Sequence, residues 1–268
     1  MGLSALRPAQ GMKICIPTTA LLPVLGSSEL MMRMGGLSVP QIKTLHHYAQ
    51  TITVTVFVDG DWSSGIVIHR QGSTYTVITN QHVVDFGKHF QVMTSDGRRY
   101  AARLRHHPGF KDNDLALLEF QSSTVSYPVA TLASALSLSP GMPVFAAGFP
   151  ISNDSRWSQA RRQPPQPTFH FTSGQISLVS PKVLVGGYQL GYTNPVEKGM
   201  SGGPVLNRQG QVIGINGMHA YPLWGDPYIF ADGSKPNPAL HKVMERSSWA
   251  IPVERFLSLA PPHLRSQA

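Results

Sequence analysis

A single cysteine, Cys15, in 268 residues rules out an internal disulfide framework, so the fold must rest on its core alone. Charge is scarce: Asp, Glu, Lys and Arg together make 13% of the chain. No apolar run reaches the ~18–20 residues that a membrane span needs. The balance of +8 and a sequence pI near 9.8 invite a nucleic-acid reading. The basic residues are scattered, however, with only Arg98-Arg99 and Arg161-Arg162 adjacent, and no nucleic-acid motif accompanies them. The charge reads instead as solubility and attraction to anionic cell surfaces. Adjacent histidines at His46-His47 and His106-His107 point apart on a strand, so no metal site is expected from them. No cofactor is expected either.

What is abundant is punctuation, with 25 glycines and 22 prolines. That mixture suits many short strands joined by tight turns. Residues 1–40 lack sustained periodicity and read as leader and linker. Within them, Met12-Lys13 followed by Ile14 to Leu25 has the charged start and short apolar run of an export signal, although Pro17 and Pro23 interrupt it. A periplasmic or secreted protein is expected, with an unstructured leader on a cytoplasmic protein as the alternative. Gln41 to Gln50 is expected as a short helix.

From Thr51 the pattern becomes period two, with Ile52, Val54, Val56 and Val58 on one face. Strands are expected at Ser64 to His69 and Tyr75 to Asn80 around the turn Gln71-Gly72-Ser73. Phe90 to Met93 and Tyr100 to Leu104 follow around Ser95-Asp96-Gly97, and Leu115 to Phe120 completes six. A second six run over Val144 to Gly148, Thr168 to Leu178, Val183 to Thr193, Gly203 to Leu206, Gln211 to Asn216 and Ser248 to Val253. The expected fold is all-β, two packed six-stranded antiparallel β-barrels, because closure removes exposed edges. The boundaries expected are 41–130 for the first barrel, 131–260 for the second and 261–268 for a tail. Arg161 to Pro167 reads as a loop insertion, and Asn237 to Glu245 as a short helix inside a long segment, His219 to Arg246.

Three blocks carry chemistry. Gly199-Met200-Ser201-Gly202-Gly203-Pro204 sets a serine in a glycine-crowded turn. A serine hydroxyl is a poor nucleophile unless a base and an orienting acid lie elsewhere. Thr79-Asn80-Gln81-His82 ends one apolar strand with a histidine, and Asp112-Asn113-Asp114-Leu115-Ala116-Leu117-Leu118 opens another with an aspartate. Imidazole, with an ordinary pKa of ~6.5, suits both accepting and returning a proton near neutrality. His82 and Asp114 lie on the first barrel and Ser201 on the second, so they can meet only in the crevice between the two.

These blocks resemble the trypsin-like (chymotrypsin-fold) serine proteases, most of all the bacterial Deg/HtrA type and short cyanobacterial trypsin-like domains. The resemblance covers Thr51 to Leu257, and the order His82, Asp114, Ser201 matches that fold. It implies a serine endopeptidase acting on polypeptide substrates, with His82 as base, Asp114 rather than Asp112 as its orienter, and Ser201 as nucleophile. The backbone N–H groups of Gly199 and Ser201 would form the oxyanion hole. Met200 departs from the trypsin zymogen pattern, which has an aspartate before the serine; activation by insertion of a new N-terminus is therefore not expected. Substrate contacts implied are Gly217, Met218 and His219 as an edge for strand addition, Ser248 on the far wall of the primary pocket, and Pro195 where trypsin carries its acidic specificity residue. A small or medium apolar side chain is the expected preference. With 67 residues after Ser201, a C-terminal PDZ domain is not expected. The alternative is a trypsin-fold peptide-binding or scaffold module with a latent active site, since fold does not by itself imply activity.

Overall fold

A computed structural model describes residues 36–85, 87–133, 137–151, 166–222 and 225–265. The apolar N-terminal run with Cys15, and all of the Arg161–Pro167 insertion but its last two residues, lie outside the described residues.

The first element is a helix, α1 (Val39–Ile52). Ser38 opens it by donating its backbone N–H to the Gln41 side chain at 2.8 Å, and Pro40 fits the first turn because no N–H is needed there. The helix is longer than the expected Gln41 to Gln50 and takes in Thr51 and Ile52, which the period-two pattern assigned to the strand. Leu45, Ala49 and Ile52 repeat every three or four residues and bury one face, which overrides the β-branched character of the helix end.

Six strands follow in one closed barrel: β1 (Thr53–Val58), β2 (Asp61–Gln71), β3 (Thr74–Thr79), β4 (Phe90–Met93), β5 (Arg99–Arg105) and β6 (Ala116–Gln121), in the order β1-β2-β3-β6-β5-β4. A second barrel runs β10-β11-β12-β9-β8-β7, built from β7 (Pro143–Gly148), β8 (His170–Val179), β9 (Leu190–Tyr192), β10 (Pro204–Leu206), β11 (Val212–Met218) and β12 (Ser248–Pro252). All twelve ladders are antiparallel. The two-barrel expectation holds.

Alternation along β2, β3 and β6 explains how the barrels join. Val67, Val77 and Leu118 fill the first barrel with Val54, Val56 and Tyr75. Their neighbours Ile66, Ile68, Ile78 and Leu117 point the other way, into a single core shared with the second barrel's Leu190, Val205, Ile215 and Trp249. The apolar face of α1 enters the same core. Three short helices were not foreseen. α2 (Gln81–Val84) follows β3, while α4 (Val253–Leu259) and α5 (Pro262–Arg265) close the chain. α3 (Pro238–Glu245) matches expectation, capped by Asn237 accepting from the Leu240 N–H. Residues 261–268 were expected as a tail, yet Leu264 in α5 is buried in the shared core. Among the described residues no helix is long and apolar enough to cross a membrane.

Candidate active site

β3 delivers Thr79 and Asn80 to the end of the first barrel, where α2 begins. Thr79 donates its hydroxyl to the Ser64 carbonyl at 2.8 Å, and the Asn80 amide donates to the Asp114 carbonyl at 2.9 Å. These two bonds fix the start of α2 against the segment leading into β6. His82 therefore sits on the first turn of α2, one element later than the strand end expected.

Asp114 meets it twice. Its Oδ1 accepts the His82 backbone N–H at 2.8 Å, and its Oδ2 lies 2.6 Å from His82 Nδ1. Tyr188, from the second barrel, donates its hydroxyl to the same Oδ2. Burial works to raise the Asp114 pKa, but the hydrogen bond and charge of the His82 ring, the Tyr188 hydroxyl and the His82 N–H outweigh it. The carboxyl is held below the usual range, so it is an anion next to an imidazole. The His82 side chain is 47% exposed, against 15% for Asp114: one ring edge faces the carboxylate while the ring stays open to solvent. Asp112, the rival considered, is exposed in the preceding loop.

The serine turn is held from both sides. Gly199 has φ +94°, Gly202 has φ +83°, and a Cβ on Gly199 would lie 2.6 Å from the Phe149 carbonyl oxygen. Ser64 of β2 donates its N–H to the Ser201 carbonyl at 3.0 Å and its hydroxyl to the Gly199 carbonyl at 2.8 Å. The Ser63 hydroxyl donates to the Ser201 carbonyl at 2.8 Å. With both carbonyls turned toward β2, the N–H groups of Gly199 and Ser201 have no acceptor among the described residues. Met200 is buried, and its carbonyl accepts from the Asn216 amide at 2.9 Å.

His82, Gly199 and Ser201 line one cavity of about 180 Å³ with Asp61, Trp62 and Lys198. The Ser201 hydroxyl donates to the Gly217 carbonyl at 3.3 Å rather than to the His82 ring. Such bonds are often long in the free state and tighten with substrate. The remaining expected contacts are placed less uniformly. Gly217 and Met218 end β11, and His219 follows with Nδ1 2.8 Å from the Ala220 carbonyl. Pro195 is exposed, whereas Ser248 is buried and donates its hydroxyl to the Asn194 carbonyl at 2.9 Å. None of these five lines the cavity that His82 and Ser201 share. Among the described residues there is no cluster of three or more His, Cys, Asp or Glu suited to a metal ion.

Residues 63–215 match the family model of the trypsin-like peptidase domain. The chain belongs to that family. It is 30% identical over 153 residues to the "Serine protease Do-like HtrA" of Lactococcus lactis subsp. cremoris, covering 57% of this chain and 36% of that protein. It is 29% identical over 155 residues to a "Probable periplasmic serine endoprotease DegP-like" of Marinomonas sp., covering 57% of this chain and 29% of the relative. This trypsin-like chain thus matches about a third of the length of those curated relatives. Its fold resembles the crystal structure of the serine endoprotease from Yersinia pestis, with a TM-score of 0.55 and 21% identity over 83% of this chain and 65% of that one.

The sequence blocks named the residues of the His82–Asp114 pair and of the serine turn. They did not name Ser63, Ser64 or Tyr188. Trp62-Ser63-Ser64-Gly65, four residues of mixed polarity opening an apolar strand, was the one local signal for the first two.

Proposed function

We propose that this trypsin-like domain is a serine endopeptidase that cleaves peptide bonds through an acyl-enzyme. Ser201 Oγ attacks the scissile carbonyl carbon while its proton passes to His82 Nε2. The carbonyl oxygen, now an anion, is received by the N–H groups of Gly199 and Ser201. Collapse breaks the C–N bond, and His82 gives its proton to the leaving amine. Water then repeats the sequence on the ester, freeing the acid and restoring the hydroxyl. Asp114 keeps the His82 tautomer and stabilises the imidazolium without itself being protonated.

The observation that carries this reading is the 2.6 Å bond between His82 Nδ1 and Asp114, with the His82 ring lining the same cavity as Ser201 and Gly199. The substrate is a polypeptide in extended form, with a small or medium apolar side chain at the cleaved residue. The site of action is the periplasm or the exterior, in keeping with the name of the Marinomonas relative. One observation favours the alternative, a peptide-binding module with a latent site: the Ser201 hydroxyl is engaged by the Gly217 carbonyl.

Digestion of unfolded casein separates the two. The native chain is expected to release peptides, and Ser201→Ala to lower kcat by roughly 10⁶-fold, by the subtilisin precedent. Equal release by both proteins, or none by the folded native chain, would favour the binding module.

A further inference from the structure

We propose that Tyr188 is a positioning residue for the Asp114–His82 pair, delivered from the second barrel to the carboxylate oxygen that His82 uses. The proposal rests on the peptidase reading of the same site. Two glycines, Gly186 and Gly187, with φ +81° and +87°, turn the chain just before Tyr188. The turn is closed by the Leu184 N–H donating to the Tyr188 carbonyl at 2.9 Å, and by the Gly187 N–H donating to the Leu184 carbonyl at 3.0 Å. It is pinned to the first barrel by the Asp114 N–H, which donates to the Gly186 carbonyl at 2.9 Å. The ring then enters the seam between the barrels with its hydroxyl on Asp114 Oδ2.

Space for that ring exists because residue 217 has no side chain. A Cβ on Gly217 would fall 2.1 Å from the Tyr188 hydroxyl oxygen. Gly217 is also the residue whose carbonyl receives the Ser201 hydroxyl, so Tyr188 packs against the backbone that faces the proposed nucleophile. Tyr188 is 4% exposed, so water does not compete for its proton. Burial first, and then the Asp114 charge, push the phenol well above its ordinary pKa, which keeps it a donor across the working range.

Two donors on one carboxylate oxygen, and a third on the other, fix the torsion of Asp114 and aim its charge at His82. Without the hydroxyl, a mostly buried oxygen keeps one donor and the carboxylate gains freedom to turn. Turnover should suffer while substrate binding does not, because the group touches neither substrate nor reacting atoms.

The test is Tyr188→Phe, which keeps the ring and removes the hydroxyl. Loss of one hydrogen bond to a charged group is expected to lower kcat about tenfold with KM within about twofold. In the proton NMR spectrum the His82 Nδ1 proton should move downfield, since the competing donor on Oδ2 is gone. A role in packing alone would lower the melting temperature and leave both readouts unmoved. Should the Phe protein not fold, 3-fluorotyrosine installed at 188 keeps the size and donates more strongly, and the same resonance should move upfield. An unchanged kcat and resonance in folded Tyr188→Phe, or an unmoved resonance in the fluorotyrosine protein, overturns the proposal. If the native chain hydrolyses nothing, the peptidase reading fails, and the resonance still decides whether Tyr188 acts on the pair.

Discussion

At the scale of the residue, Asp114 is pulled in two directions: burial disfavours its charge, and three donors favour it. The donors win, so the unfolded chain holds the proton more tightly than the folded one. The stability this group contributes is complete above the ordinary carboxylate pKa of about 3.9 and is lost as pH falls through the lower folded value. Urea midpoints of the native chain and Asp114→Asn are expected to differ at neutral pH and to converge below pH ~4. A gap that stays constant from pH 7 to pH 3 contradicts the assignment. Gly199 is the other residue with a sharp requirement. Its φ of +94° is strained for any side chain, and the Phe149 carbonyl fills the space a Cβ would need. Gly199→Ala is expected to turn that peptide and lower kcat by ~10² or more, as loss of an oxyanion donor does. Steady-state kinetics with circular dichroism would check it; full activity in Gly199→Ala removes that peptide from the proposed oxyanion hole.

At the scale of the element, the start of β2 matters most. Its Ser64 hydroxyl donates to the Gly199 carbonyl and accepts from the Phe149 N–H, both at 2.8 Å, so a strand of the first barrel holds the serine turn of the second. Ser64→Ala would orphan the Phe149 N–H and leave the Gly199 carbonyl only the long 3.4 Å bond from the Ser63 hydroxyl. A loss of ~1–3 kcal/mol in stability is expected for the N–H left unpaired, together with lower kcat. Chemical unfolding curves beside kinetics would show it, and a variant as stable and active as the native chain would contradict this account of β2. Elements of this kind explain what could be read beforehand. The ladders of β1 to β6 were legible because period-two alternation and the turns at Gly72 and Gly97 are local signals. The strand expected over Val183 to Thr193 shrank to Leu190–Tyr192, since Gly186 and Gly187 adopt positive φ and break the ladder. That break is what frees Tyr188 to reach Asp114. Ser64 and Tyr188 could not be picked out, because their partners lie 135 and 74 residues away and no local pattern marks such pairings.

At the scale of the whole molecule, the first barrel keeps an interior of its own, while its outer face joins the second barrel's residues in one shared core. Ile66, Ile78 and Leu117 from the first barrel pack with Leu190, Ile215 and Trp249 from the second, and α1 covers the same cluster. The proposed base, from the first barrel, and the proposed nucleophile, from the second, line one cavity. His82 and Ser201 were readable as separate motifs because each is set by its own short block. That they line one cavity depends on the packing of the two barrels against each other, which no local signal encodes. Reactivity of Ser201 should therefore belong to the assembled pair and require a side chain from the other barrel. Labelling with a fluorophosphonate, followed by peptide mapping, reads this directly. The native chain is expected to carry a single adduct on Ser201, and folded His82→Ala is expected to carry none. A folded native chain that takes no adduct, or one that His82→Ala labels equally fast, would contradict the account.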